Sequence, residues 1–79
     1  MPRAQLLYFY SEDCPGCVIV KPLALEIANK HRVFLKEVDA TEEIELAQKY
    51  NINILPSLAY KGMVICGMCT KEDIELMFS

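Results

Sequence analysis

The sequence predicts a small α/β fold in the order β-α-β-α-β-β-α, with one four-stranded mixed sheet flanked by helices. Three observations carry this expectation. A continuous apolar and aromatic run, Gln5 to Tyr10 (QLLYFY), has the character of a strand buried on both faces. It is followed at once by a helix start at Cys14-Pro15 and by apolar residues at helical spacing. Near the end of the chain, Tyr60-Lys61-Gly62-Met63 is a hairpin signal between two short apolar runs. The length, 79 residues, leaves room for a single domain, expected to span 1–79.

Each element follows from local pattern. Ser11, Glu12 and Asp13 break the first strand. Pro15 suits the first helical position, where its missing N–H would be unpaired anyway. Val20, Leu23, Ala24, Ile27 and Ala28 form the apolar stripe of this helix, and Pro22 inside it is expected to kink it. Val33 to Val38 (VFLKEV) is the second strand. Asp39 or Thr41 is expected to cap a second helix, with Ile44, Ala47 and Tyr50 on its apolar side. A connection from Ile52 to Pro56 leads to a third strand, Ser57 to Tyr60, and a fourth, Met63 to Cys66. Thr70 caps the last helix, with Ile74, Met77 and Phe78 as its buried stripe. The first strand–helix–strand unit should be parallel and the final pair an antiparallel hairpin.

Composition narrows the function classes. Eight Lys and Arg against eleven Asp and Glu give a net charge of −3, so the basic face that phosphate binding requires is missing and no nucleic-acid partner is expected. No apolar run approaches the roughly 18 residues of a membrane span, and the N-terminus has no secretory signal pattern. Four cysteines, Cys14, Cys17, Cys66 and Cys69, fall in two C-x-x-C pairs. That is too few for a disulfide-dense secreted scaffold, where Cys exceeds about 8–10%. A reducing, cytoplasmic setting is therefore expected, in which paired cysteines serve as redox catalysts or metal ligands.

The first pair, Cys14-Pro15-Gly16-Cys17, lies between a strand and a helix. With Pro15 as first helical residue, Cys14 is the N-cap, and its sulfur is placed to accept N–H groups from Gly16 and Cys17. Those donors and the helix dipole favour the thiolate, which is the attacking species in disulfide exchange. Cys14 is then the nucleophile, and Cys17, one turn inside and more buried, is the resolving thiol. Lys21, seven residues on and on about the same face, is available either to that thiolate or to solvent. The same C-x-x-C spacing also suits two structural cysteines or half of a zinc site.

The sequence resembles the thioredoxin/glutaredoxin family over nearly its whole length. Tyr10-Ser11-Glu12-Asp13-Cys14-Pro15-Gly16-Cys17 is similar to the glutaredoxin active-site segment, and Pro22 matches the kinking proline of thioredoxins. Val38 to Glu42 and Ala47 to Ile52 resemble the thioredoxin middle segment. Ile54-Leu55-Pro56-Ser57 matches the family's cis-proline loop, and Lys61-Gly62 through Gly67 its terminal hairpin and late glycine. The resemblance implies a thioredoxin fold, a cis Pro56 beside the Cys14 sulfur, and a substrate groove shaped by Pro15, Gly16, Leu55, Pro56 and Gly67. Leu55 would offer its backbone to an extended substrate segment, as an added strand does. Two departures stand out: Asp13 replaces the Trp of thioredoxins, and Tyr8 stands where they bury an acid six residues before the first cysteine. Around Cys69 and Thr70 the acidic residues that hold glutathione's amine in glutaredoxins are replaced, which points to protein disulfides as substrates.

Cys66-Gly67-Met68-Cys69 sits where the last strand meets the last helix. Three readings fit it. Cys66 is a buried small apolar residue and Cys69 a half-exposed thiol; or the two form a secondary redox pair that trades with Cys14 and Cys17; or all four cysteines hold one metal ion. The separation of the pairs exceeds the about 15–20 residues between the knuckles of a zinc ribbon. The expected activity is thus thiol–disulfide exchange on disulfide-containing proteins, with Cys14 attacking and Cys17 resolving. No built-in cofactor or metal and no membrane partner is expected, and electrons come from a reductase or small thiol acting on a monomer. A zinc-binding module and a non-catalytic adaptor using the same groove are the alternatives.

Overall fold

A computed structural model of the chain describes residues 4–78. It has seven elements: β1 (Gln5–Tyr10), α1 (Pro15–Lys30), β2 (Phe34–Asp39), α2 (Ile44–Lys49), β3 (Ser57–Tyr60), β4 (Met63–Cys66) and α3 (Lys71–Leu76). They are the predicted elements in the predicted order. The four strands form one sheet in the order β2-β1-β3-β4. β1 pairs parallel with β2, from Gln5↔Phe34 to Tyr10↔Asp39. It pairs antiparallel with β3, which pairs antiparallel with β4.

The central place of β1 explains its unbroken apolar run. Successive side chains of a strand point to opposite faces. Leu6 and Tyr8 join a core built with Val20, Ala24, Ile27 and Ala28 of α1 and Ile74 of α3. Leu7 and Phe9 join a smaller one with Val38, Ala47 and Ala59 on the α2 side. Both faces are covered, so both sets must be apolar. α1 runs without interruption through Pro22, which lies on its exposed side.

The hairpin turn is made by Lys61 and Gly62, both at positive φ (46° and 82°). Two left-handed residues in a two-residue loop match the right-handed twist of the strands they join. α3 starts as its sequence suggests. The Thr70 hydroxyl accepts the Asp73 N–H and the Asp73 carboxylate accepts the Thr70 N–H, a reciprocal cap. At the far end of α1, Lys30 and His31 both contact Glu75 of α3, at 2.7 and 2.6 Å, and His31 stacks on Phe78. These contacts hold the Glu75 carboxyl below the usual carboxylate range, the Lys30 hydrogen bond contributing most.

α2 differs from expectation. It starts at Ile44 with Glu43 as N-cap and no side-chain cap, rather than being capped by Asp39 or Thr41. The Asp39 carboxylate instead accepts the N–H and the hydroxyl of Thr41, at 2.9 and 2.6 Å, closing a local turn. Short acidic side chains often choose such turns over a helix cap. β2 also runs one residue later than expected, ending on Asp39, because its register is set by pairing with Tyr10.

Candidate active site

β1 ends at Tyr10, and a three-residue turn delivers Cys14 to the start of α1. Cys14 is the N-cap in extended backbone (φ −113°, ψ 95°), and Pro15 follows inside the first turn. Cys14 and Cys17 are joined in a disulfide with a Cα–Cα distance of 5.3 Å. The N–H contacts expected at the Cys14 sulfur are not made: Cys14 has no side-chain cap bond, and the Cys17 N–H donates to the Cys14 carbonyl at 3.1 Å. The sulfur is neutral and bonded in this oxidised state, so it lacks the charge that would attract those donors. Both residues are nearly enclosed, Cys14 at 9% exposure and Cys17 at 6%. The expected inequality between them has the right sign and is small.

Two further segments close on this loop. The Leu55–Pro56 bond is cis, and the buried Pro56 lies against Gly16. The Pro56 carbonyl accepts the Gly67 N–H at 2.8 Å, which ties the loop before β3 to the end of β4. Gly67 has φ +84°, where a side chain would be strained. The Ser57 hydroxyl donates to the Ile54 carbonyl within the same loop. Leu55 is half-buried between the two cores, while Pro15 is exposed at the rim. Pro15, Gly16, Leu55, Pro56 and Gly67, which the sequence placed around one groove, therefore lie on three adjoining segments.

Met68 was not foreseen. A Cβ added to Gly16 would stand 2.7 Å from the Met68 sulfur and 3.1 Å from Pro56 Cδ. Glycine at position 16 is thus what lets the Met68 thioether lie on the C-x-x-C loop. The one signal for it was position, directly after the late glycine and between two cysteines. Gly16→Ala is expected to push Met68 aside and press on the rigid Pro56 ring. Overpacking of this kind costs about 1–3 kcal/mol, readable as a lower thermal midpoint with the Cys14–Cys17 disulfide intact.

Tyr8 also gains a defined part. Its hydroxyl donates to the Cys17 carbonyl at 3.1 Å, holding the first turn of α1 onto the sheet. Burial, with smaller contributions from the negative charge of Glu37 and from Tyr10, pushes the phenol up to about 12. It therefore stays protonated near neutral pH and cannot take a proton from Cys17. Lys21 is committed elsewhere, in a 2.8 Å ion pair with Glu37. Glu12 and Asp13 are exposed loop residues, and His31 sits at the opposite end of α1.

The second pair reverses the burial expected for it. Cys66 is exposed and Cys69 buried, both as free thiols. Cys66 ends the edge strand β4, whereas Cys69 turns inward before α3 and joins the same core as Cys14 and Cys17. Burial, and then the nearby Asp73 carboxylate, push the Cys69 thiol up. Among the described residues, no three His, Cys, Asp or Glu side chains gather with metal-binding geometry.

A cysteine pair at a strand–helix junction, facing a cis-proline loop on a four-stranded mixed sheet, defines the thioredoxin class of dithiol sites. The thioredoxin family model matches residues 2–63, and the chain belongs to the thioredoxin family. It is 36% identical over 69 residues to an H-type thioredoxin of Brassica oleracea, covering 78% of this chain and 54% of that protein. It is 30% identical over 56 residues to thioredoxin-1 of Caenorhabditis elegans, covering 70% of this chain and 49% of that one. The chain thus spans about half the length of these relatives. The solved structure of Schistosoma mansoni thioredoxin superposes with a TM-score of 0.81 at 25% identity, over 95% of this chain and 73% of that one.

Proposed function

We propose that this chain is a thiol–disulfide oxidoreductase acting on protein disulfides, as one thioredoxin-like domain. The observation that carries this reading is the Cys14–Cys17 disulfide at the N-terminus of α1, beside Pro56 and Gly67. Reduction of that bond leaves Cys14 at the positive end of the helix, where a thiolate is favoured over a thiol. The thiolate attacks one sulfur of a substrate disulfide, and the other substrate sulfur leaves as a thiolate. Cys17 then attacks the Cys14 sulfur of the mixed disulfide, releasing the second substrate thiol and restoring Cys14–Cys17. Two electrons pass from the pair to the substrate, and a reductase or small thiol must return them.

The substrate is held by the groove. Leu55, ahead of Pro56, presents backbone to an extended segment, with Pro15 and Gly67 beside it and Gly16 beneath the Met68 thioether. Exposed Val18, Ile19, Ile54 and Met68 on the flanking segments favour apolar residues next to the substrate disulfide. A cytoplasmic setting fits a pair that must be re-reduced after each turnover; among the described residues no helix is long and apolar enough to cross a membrane.

The test is capture of the intermediate. Cys17→Ser, mixed with two peptides joined by one disulfide, is expected to retain one of them as a mixed disulfide on Cys14, found by mass mapping. Absence of any adduct on Cys14, with the variant folded, would overturn the proposal.

A further inference from the structure

We propose that the outer edge of β4 pairs antiparallel with β4 of a second copy of this chain, joining their two four-stranded sheets into one. The order β2-β1-β3-β4 leaves two edges, and among the described residues neither is paired. Exposed edges are normally blunted by charge or proline, because their free N–H and C=O groups template another strand. β2 is blunted in this way: it carries Lys36, Glu37 and Asp39, with Glu37 in the ion pair to Lys21. β4, with the sequence MVIC, carries neither charge nor proline. Of the two edges, β4 is the one where a strand adds without burying an ion, whose desolvation is costly.

The register shows which groups this edge offers. Hydrogen-bonded and non-bonded pairs alternate along an antiparallel ladder. The Gly67 N–H donates to the Pro56 carbonyl, one step beyond the Ser57↔Cys66 pair. Ile65 and Met63, in step with Gly67, therefore bond inward to Leu58 and Tyr60. The N–H and C=O groups of Val64 and Cys66 face outward. A two-fold axis through Ile65, perpendicular to the sheet, sets Val64 of each copy opposite Cys66 of the other. Both pairs then exchange hydrogen bonds, and every group that β4 turns outward is used. The edge is complementary to itself, which selects a second copy over an unrelated segment.

The side chains agree with this pairing. Val64 lies opposite Ala59 and Cys66 opposite Ser57, so both stand on the α2 face of the sheet, where each is exposed. On the other face the half-buried Ile65 meets its own copy across the axis, and the exposed Met63 and Leu76 border it in a groove beside α3. Covering these apolar side chains supplies the drive for association. A contact of four residues a side falls short of the about 1,200–2,000 Å² of a stable interface, so the dimer dissociates on dilution. Because Cys66 faces Val64, wild type is expected to form no disulfide between copies.

Sedimentation equilibrium over a dilution series, followed by thiol cross-linking, tests this. Wild type is expected to move from the mass of one chain toward that of two as concentration rises. Val64→Lys, which puts a charge on the edge, is expected to stay at one chain, with its circular dichroism and insulin reduction those of wild type. Val64→Cys, oxidised by diamide with Cys14–Cys17 bonded, is expected to join the introduced thiol to Cys66 of a second copy. The about 5.5 Å between Cα atoms of a hydrogen-bonded pair suits that bond. Met63→Cys, on the opposite face, is expected to give no such linkage. A wild-type mass of one chain at every concentration overturns the proposal, as does a dimer that persists in Val64→Lys. Linkage of the introduced thiol to itself, or of Cys66 to Cys66, overturns the pairing about Ile65.

Discussion

Cys14→Ser is expected to abolish disulfide reductase activity, leaving only the rate of the reductant in the assay. Serine keeps the size and the N-cap position, and its hydroxyl is a better helix cap than a thiol. The fold should therefore survive while the chemistry is lost. A hydroxyl is not ionised near neutral pH, even at a helix N-terminus, and forms no mixed disulfide. Cys17 is not expected to substitute: it lies one turn inside α1, off the N-cap position where the helix favours a thiolate. Turnover of insulin disulfides with dithiothreitol as donor measures the loss, and circular dichroism checks the fold. Activity within a few-fold of wild type would require another nucleophile, with exposed Cys66 the first to examine.

The second large effect concerns stability. Phe9→Ala is expected to cost about 3–5 kcal/mol, the usual range for removing a buried aromatic side chain. Phe9 is fully buried and tilts against Tyr50 at 5.8 Å between ring centroids. Among the described residues the core it fills has four other buried members, Leu7, Val38, Ala47 and Ala59, so Phe9 is its largest buried side chain. Small domains hold about 5–15 kcal/mol in total, and each kcal/mol moves the midpoint of a 60–100-residue domain by about 4–8 °C. A fall in Tm on the order of 20 °C is expected. Val18→Ala is the control, since Val18 is 77% exposed and should shift Tm little. A Phe9→Ala shift of only a few degrees would mean that the α2 side of the sheet contributes little to stability.

The strands and the ends of α1 and α3 were legible because each rests on a local signal: an apolar run, Pro15 behind Cys14, Lys61-Gly62, and Thr70 with Asp73 three residues on. The start of α2 was not, because Asp39 had two local uses and the turn with Thr41 won. In the site, both cysteines and the proline loop were visible as motifs. What they touch was not. The Met68 contact depends on how far the loop after β4 reaches over Gly16. The bond from Tyr8 to the Cys17 carbonyl depends on how α1 sits on β1. The burial of the second pair was misjudged for a related reason. Cys66 ends an edge strand and is open to solvent, while Cys69 falls beyond the strand, where the turn into α3 points it into the core.

The central claim is that Cys14 is the nucleophile because it caps α1. Its most direct test is the pH dependence of alkylation of the reduced chain by iodoacetamide, with each cysteine mapped by mass. Cys14 is expected to react first, with a midpoint below the about 8.5 of a free thiol, and buried Cys17 and Cys69 to lag. Faster labelling of Cys66, with the Cys14 midpoint at or above that of a free thiol, would contradict the account.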